Sequence, residues 1–125
     1  MKKYVLVIVL VVLILVGLRQ VYLKRNTVVK STKDTVAELF GKKYNRSLNT
    51  FTISVSVDTG MFAKGTFNET GGGGVWFAAK TANGWELAAA GNGIVPCEEI
   101  NKYNFPKDII PQCIEVKNEN KLIQR

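Results

Sequence analysis

The string Asp58-Thr59-Gly60 is the one part of this chain that matches a known catalytic motif. In aspartic proteases such a turn carries one of two aspartates that share a proton and activate a water molecule. Those enzymes have a small residue after the motif, whereas Met61 follows here, and a second aspartate would have to come from another subunit. Asp and Gly are also ordinary turn residues. The sequence therefore favours a hairpin turn, with a small hydrolase as the less favoured alternative.

Other reactive arrangements are poorly represented in the sequence. The glycine run at residues 71–74 could wrap a phosphate with its amides, but no Gly-Lys-Ser/Thr follows it, so a flexible junction between strands is expected. The chain contains no histidine, and several of its acids are scattered without pairing, namely Glu86, Glu98, Glu99 and Asp108. We therefore expect no catalytic residues, no cofactor and no metal site, and a protein that is not an enzyme.

Cys97 and Cys113 are the two cysteines of the chain, and both fall in one proline-containing segment. Without histidine they cannot complete an ordinary zinc site. A disulfide across this loop would constrain the unfolded chain by about 3 kcal/mol. The pair predicts a disulfide formed in an oxidising compartment, the alternative being two free thiols in the core of a cytosolic domain.

Residues 4–18, YVLVIVLVVLILVGL, form an unbroken apolar run behind two lysines. As a helix they cover about 22 Å, and extension to Leu23 approaches the roughly 30 Å of a hydrocarbon core. A cleaved secretory signal has a similar start, but the only tolerable cleavage position, after Gly17, has Leu15 where a small residue is preferred. We expect a retained membrane anchor in residues 1–25, with a cleaved signal as the alternative.

The charge distribution bears on partners and on orientation. The formal net charge is +7, but after residue 25 twelve basic residues face ten acidic ones, so the excess lies beside the apolar run. This indicates the lipid bilayer as a partner rather than nucleic acid. Three cations follow the run and two precede it, which favours an inward-facing domain, but long segments are translocated largely regardless of flanking charge. With the expected disulfide, we predict a single-pass protein of the cell membrane whose domain lies outside the cytoplasm.

The elements that would position any site can be read from residue 31 onward. A capping-box-like start at Ser31 and apolar residues at helical spacing predict an amphipathic helix over residues 32–45. Strict alternation over residues 51–57 predicts a half-buried strand, and a second strand follows over residues 61–68. Two more strands, at 75–81 and 85–90, flank an Asn-Gly pair that is typical of a type I′ hairpin.

The hairpin register predicts which side chains share a face. Placing Trp85 opposite Ala82 puts Trp76 opposite Gly91 and both tryptophans on one face, which favours core packing over stacking on a ligand. The other face carries small residues and could be a partner site or a thinly covered sheet face. The possible interaction surface, together with two aromatic residues from the C-terminal segment, is Val75, Phe77, Ala79, Ala88, Ala90, Tyr103 and Phe105.

The element order predicts an α+β fold with three parts. Residues 1–25 are the transmembrane helix, residues 26–116 a domain with one helix on a four-stranded antiparallel meander and a disulfide-closed loop, and residues 117–125 a polar tail. From the order alone, a cystatin-like arrangement is expected, with an NTF2-like cone as the alternative. Residues 115–125 are expected to fray.

Several strings in the second half of the chain resemble, in their combined spacing, an uncharacterised family of small bacterial proteins with an amino-terminal anchor. They are Gly72-Gly-Gly-Val-Trp-Phe-Ala-Ala-Lys80, Asn83-Gly-Trp-Glu-Leu87, Gly91-Asn-Gly93, Cys97, Tyr103-Asn-Phe-Pro106 and Ile110-Pro-Gln-Cys113. The resemblance covers about residues 31–116. It implies a membrane-tethered globular module and assigns no activity.

Three functional hypotheses follow from these observations. The first is a non-enzymatic, membrane-anchored extracytoplasmic module that binds another envelope protein or a small ligand. The second is a structural subunit of an envelope assembly, although no prepilin-type processing site precedes the apolar run. The third is the small hydrolase, which would depend on Asp58.

Overall fold

A computed structural model of the protein describes residues 2–25, 30–117 and 119–125. Residues 26–29, at the start of the predicted domain, lie outside the described residues. Three α-helices are described, which are Lys2–Arg25 (α1), Thr32–Tyr44 (α2) and Cys97–Ile100 (α3). Six strands are described, which are Phe51–Asp58 (β1), Phe62–Glu69 (β2), Gly72–Thr81 (β3), Gly84–Gly91 (β4), Gln112–Glu115 (β5) and Lys121–Gln124 (β6). The predicted α+β class is confirmed.

The first helix, α1, contains 24 residues and carries the apolar run. Its described apolar side chains between Val7 and Val21 are about half exposed or more, and none of them belongs to either hydrophobic core. Among the described residues, no helix combines the length and the apolar character needed to cross a membrane.

The second helix, α2, begins and ends close to the predicted residues. The Ser31 hydroxyl accepts a hydrogen bond from the Asp34 amide at 3.1 Å, which satisfies a free N–H of the first turn. At the other end, Asn45 adopts a left-handed conformation that stops the helix. Val36 and Phe40 are buried on the face that packs against the sheet.

The sheet has the order β1-β2-β3-β4 with antiparallel neighbours, as predicted. The predicted flexible junction at residues 71–74 is wrong for its last three glycines, because Gly72, Gly73 and Gly74 pair with the end of β2. A side chain on Gly74 would meet the Gly91 carbonyl oxygen and the Phe67 ring. Gly73 and Gly74 therefore belong to a strand in which the backbone of a neighbouring strand approaches closely.

The predicted register of the β3–β4 hairpin is wrong. Lys80 pairs with Trp85 and Thr81 with Gly84, so the two turn residues are Ala82 and Asn83. Neither has a positive φ, so the turn is not type I′. A bulge then places Ala88 and Ala89 opposite one residue of β3. One extra residue reverses the side-chain alternation, so Ala90 packs on the α2 side and not on the opposite face where it was predicted.

Both faces of the sheet are covered by a core. On the α2 side, Trp76 is fully buried and Trp85 half-buried, which confirms that both tryptophans lie on one face. The Trp76 ring covers Gly65 rather than the predicted Gly91. The opposite core is formed by β3 and β4 under the C-terminal segment, residues 92–125, and is centred on Ile100 and Phe105.

The C-terminal segment is folded along most of its length. The predicted disulfide between Cys97 and Cys113 is confirmed, with a Cα–Cα distance of 5.0 Å. The prediction of a frayed tail is wrong, because β6 pairs with β5 and the Arg125 guanidinium donates hydrogen bonds to the carbonyls of Ile110 and Phe105, both at 3.1 Å. Polar composition misled the prediction, since β5 and β6 satisfy their backbone groups by pairing with each other.

Candidate functional site

A cleft of about 340 Å³ lies between the sheet face opposite α2 and the C-terminal segment. On the sheet side it is lined by Ser56, Lys64, Gly65, Thr66, Val75 and Phe77. On the segment side it is lined by Gly93, Ile94, Val95, Ile109, Ile110, Pro111 and Gln112. Its size falls in the lower part of the range of small-molecule sites, which is about 300–1,000 Å³.

Local strand geometry explains why the sheet side is polar at one end and apolar at the other. In β2 the buried residues Ala63 and Phe67 face α2, so Lys64 and Thr66 must face the cleft. In β1 the register shifts between Val55 and Val57, which leaves Ser56 as the additional residue of a bulge. The cleft thus combines two hydroxyls and an ammonium from β1 and β2 with apolar side chains from β3.

Lys64 joins the two sides of the cleft. Its ammonium donates a hydrogen bond to the Ile109 carbonyl oxygen at 3.2 Å, from β2 to the C-terminal segment. A lysine ammonium has three N–H donors, so this bond uses one of them. Among the described residues that line the cleft, Lys64 is the only one with a charged side chain. The cleft therefore favours an anionic or hydrogen-bond-accepting group beside apolar surface.

The segment side of the cleft is held by several bonds. The Ile114 amide donates a hydrogen bond to the Val95 carbonyl at 3.0 Å. The two residues lie within two positions of Cys113 and Cys97, so the disulfide reinforces this contact. The amides of Ile109 and Ile110 both donate to the Pro106 carbonyl at 3.1 Å. These contacts fix the backbone that carries the lining residues, so the cleft is largely preformed.

An aromatic cluster adjoins the cleft at Phe77, which is one of the lining residues. Phe105 is 3% exposed, and its ring centroid lies 5.0 Å from that of Phe62 and 6.2 Å from that of Phe77. The edge-to-face contact with Phe77 is a favourable arrangement for aromatic rings. Phe105 therefore fills the space that the sequence left as an open sheet face.

This arrangement covers much of the predicted interaction surface. Val75 and Phe77 line the cleft, whereas Ala79, Ala88 and Phe105 are buried in the core beneath the C-terminal segment. Ala90 packs on the α2 side, and Tyr103 lies at the edge of β4. This corrects the expectation of one continuous face, because the C-terminal segment covers β3 and β4.

A second, more open groove crosses the edge of β4, with a volume of about 390 Å³. Its lining residues are Leu39, Lys42, Lys43, Glu86, Leu87 and Tyr103. The hydroxyls of Thr81 and Tyr103 each donate to a different Glu86 carboxylate oxygen at 2.9 Å. These two bonds, in that order, and the charge of Lys102 lower the pKa of Glu86. The carboxylate joins β4 to the C-terminal segment, and each of its two oxygens accepts a hydrogen bond from within the protein.

Asp58 lies at the end of β1, in a turn. The Thr32 hydroxyl and the Gly60 amide donate hydrogen bonds to its carboxylate, the latter at 2.8 Å, and lower the pKa of Asp58. These two donors stabilise the charged form of the carboxyl group. The arrangement is that of a turn in which the aspartate accepts hydrogen bonds from a backbone amide and from a hydroxyl of α2.

The sequence interpretation missed most residues of the cleft. Lys64 and Thr66 could have been placed on one face from the alternation of β2, because Ala63 and Phe67 mark the buried face. Ser56 depends on a bulge, and Ile94 and Ile109 depend on contacts between distant parts of the chain. No local pattern predicts those contacts.

Neither a metal site nor a relative could be assigned. Within the residues that the structure describes, no group of three or more His, Cys, Asp and Glu side chains could hold a metal ion. No protein-family model matches the chain, and neither a curated protein nor a solved structure was found to be similar to it. The resemblance to small anchored bacterial proteins stays a prediction.

Proposed function

We propose that the protein is a membrane-anchored, non-enzymatic binding module that holds a small ligand, or a segment of another envelope protein, in the cleft beside Lys64. The observation that carries this proposal is a preformed, mainly apolar cleft with a single ammonium that retains donors for a ligand. Such a combination of apolar lining and a few convergent polar groups is typical of ligand sites.

The anchor is supported by the sequence of α1 and by the exposure of its apolar side chains. Fifteen consecutive apolar residues on a 24-residue helix would be costly in water, and insertion into a bilayer removes them from it. A helix of this length extends about 36 Å. The connector between Arg25 and Thr32 spans at most about 25 Å, so the cleft-bearing domain would stay near the membrane surface.

An extracytoplasmic position is supported by the disulfide. Cys97 and Cys113 are bonded and almost fully buried, and stable disulfides of this kind belong to oxidising compartments. For the domain itself we favour a cystatin-like arrangement, because one helix packs on a four-stranded antiparallel meander, with an NTF2-like cone as the alternative.

The location is tested by fractionating cells that produce the full chain. Membranes are washed with alkaline carbonate, and the chain is treated with a mass-adding maleimide with and without prior reduction. We expect the chain in the washed membranes and modification of Cys97 and Cys113 only after reduction. A soluble chain whose two thiols react without reduction would contradict both the anchor and the orientation.

Occupation of the cleft is tested by the reactivity of its lysine. Intact cells and purified full chain are labelled with an amine-reactive ester, and labelling of Lys64 is divided by that of Lys33, an exposed residue of α2, in the same sample. A bound ligand or partner should protect Lys64 in cells, so the ratio should be lower in cells than in the purified chain. Equal ratios in both samples would contradict occupation of the cleft.

The alternative function, a structural subunit of an envelope assembly, is favoured by one observation. The described apolar side chains of α1 are exposed around the helix, so several copies could pack these helices together. Cysteine crosslinking within residues 4–18 in native membranes tests this alternative. Ordered homo-oligomers would support it, and monomers throughout would favour the binding module.

A further inference from the structure

We propose that the ligand of the cleft is a single-chain amphipathic carboxylate, whose carboxylate pairs with Lys64 and whose hydrocarbon chain lies against Val75, Ile94 and Ile109. This inference rests on the proposed function and specifies the chemistry of its ligand. It uses a site that the sequence did not predict.

The charged end of the cleft favours a carboxylate. Lys64 is fixed by its bond to the Ile109 carbonyl and has further N–H donors, and the hydroxyls of Ser56 and Thr66 line the same cleft. No acidic side chain is found among the described lining residues, so no carboxylate of the lining competes with a ligand for the ammonium. A hydrogen bond between two charged groups is stronger than a neutral one, which gives a carboxylate an advantage over an alcohol.

The rest of the cleft favours one hydrocarbon chain. Val75 and Phe77 line the sheet side, and Ile94, Ile109 and Ile110 line the segment side. Burial of each methylene of a ligand between them favours binding. The volume of about 340 Å³ is small for a lipid with two long chains. A medium-length free fatty carboxylate matches both the charge and the size.

Binding is tested with octanoate as the probe. Full chain held in an amphipathic polymer is titrated by calorimetry, and the signal of empty polymer is subtracted. Octan-1-ol and acetate are titrated in parallel, because each lacks one of the two features. We expect saturable binding of octanoate, with octan-1-ol and acetate each weaker by about tenfold or more.

Two variants separate the cleft from non-specific charge effects. Lys64→Met removes the ammonium and keeps an apolar stem, and should weaken octanoate binding about tenfold. Lys33→Met removes an exposed cation of α2, on the other face of the sheet, and should leave binding within about twofold of the unaltered chain. Circular dichroism melting shows whether both variants are folded. If Lys64→Met does not fold, Phe77→Ala, which enlarges the apolar part of the cleft, replaces it as the cleft variant.

The outcomes distinguish this inference from the proposed function. Absence of saturable octanoate binding, or equal octanoate binding by the unaltered chain and the folded Lys64→Met variant, would overturn the carboxylate proposal. If Lys64 is nevertheless protected from labelling in cells, the binding module stands and its ligand is of another class, such as a peptide segment. If Lys64 is not protected either, both proposals are wrong.

Discussion

Replacement of Trp76 by phenylalanine tests whether one indole joins three strands of the sheet. Trp76 is 0% exposed on β3, and its N–H donates to the carbonyls of Ser54 on β1 at 3.2 Å and Thr66 on β2 at 3.1 Å. The ring lies across Gly65, where a side chain would collide with it. Phenylalanine keeps an aromatic ring at this position and removes the donor.

The expected loss of stability has two contributions. Removing the indole N–H costs about 1–2 kcal/mol, because its hydrogen bonds to the Ser54 and Thr66 carbonyls are lost. The smaller ring leaves unfilled space, which costs about 1–2 kcal/mol in a well-packed core. We therefore expect the free energy of unfolding of the Trp76→Phe chain to fall by about 3 kcal/mol.

Trp85 provides a matched control on the same face of the sheet. It is half-buried and packs at the border of the α2-side core, so Trp85→Phe removes the same atoms from a position that solvent can reach. The expected loss is about 1 kcal/mol or less, because water replaces contacts at a partly exposed site. The comparison isolates burial and the two hydrogen bonds of Trp76 from the chemistry of the substitution.

Stability is measured by guanidinium unfolding of the full chain in detergent, followed by circular dichroism. The slope of the transition should be unchanged, so that the shift in midpoint reports stability. Iodide should quench the fluorescence of the Trp76→Phe chain, which retains Trp85, more strongly than that of the Trp85→Phe chain. Equal losses of stability in the two variants, or a larger loss for Trp85→Phe, would refute the role assigned to Trp76.

Three further predictions test other parts of the fold. In Gly74→Ala the new methyl meets backbone and should cost about 1–3 kcal/mol of unfolding free energy, whereas Gly72→Ala, with open space around it, should cost less than about 0.5 kcal/mol in the same unfolding assay. Replacement of both Cys97 and Cys113 by serine should lower the free energy of unfolding by about 3 kcal/mol. The guanidinium midpoint should fall accordingly, and an unchanged midpoint would contradict this prediction. Folding lowers the Glu86 pKa, so its ionised carboxylate stabilises the folded chain. This contribution to the unfolding free energy is complete above the pKa of the unfolded chain, about 4.3, and is lost as the pH falls through the pKa of the folded chain. Tyr103→Phe removes one of the two hydroxyl donors and should raise the Glu86 pKa in a carboxyl NMR titration. It should also reduce the difference in unfolding free energy between neutral and acid pH. An unchanged Glu86 pKa would contradict the assignment.

Sequence reasoning succeeded where short-range patterns decide the structure. Helix α2 was predicted to within about a residue, because Ser31 caps it and its apolar residues recur at helical spacing. Strand β1 was predicted because apolar and hydroxyl residues alternate, and the disulfide because the chain has only two cysteines. Each of these signals is contained in a few neighbouring residues or in the composition.

The errors arose where one residue changes the alternation or where distant segments meet. The bulge at Ala88 and Ala89 transfers Ala90 to the other face, and nothing in a run of three alanines marks where an additional residue will be accommodated. The glycines before Val75 have the composition of a linker, yet three of them pair as a strand. At Gly74 the close approach of Gly91 and Phe67 leaves no room for a side chain. Composition alone does not separate these two uses of glycine.

The cleft required contacts that no local pattern contains. Phe105 lies 28 residues beyond Phe77 in sequence, and it covers β3 and β4 while leaving the side chains of β2 at the cleft accessible. The lining residues Val95 and Gln112 are each close in sequence to one cysteine, so the bond between Cys97 and Cys113 holds the two parts of the segment side together. If the cleft binds a ligand, reduction of this bond should weaken binding even where the sheet stays folded, because the Lys64 side of the cleft would persist while the opposite side loses its constraint. Oxidative folding would then be a condition for binding as well as for stability.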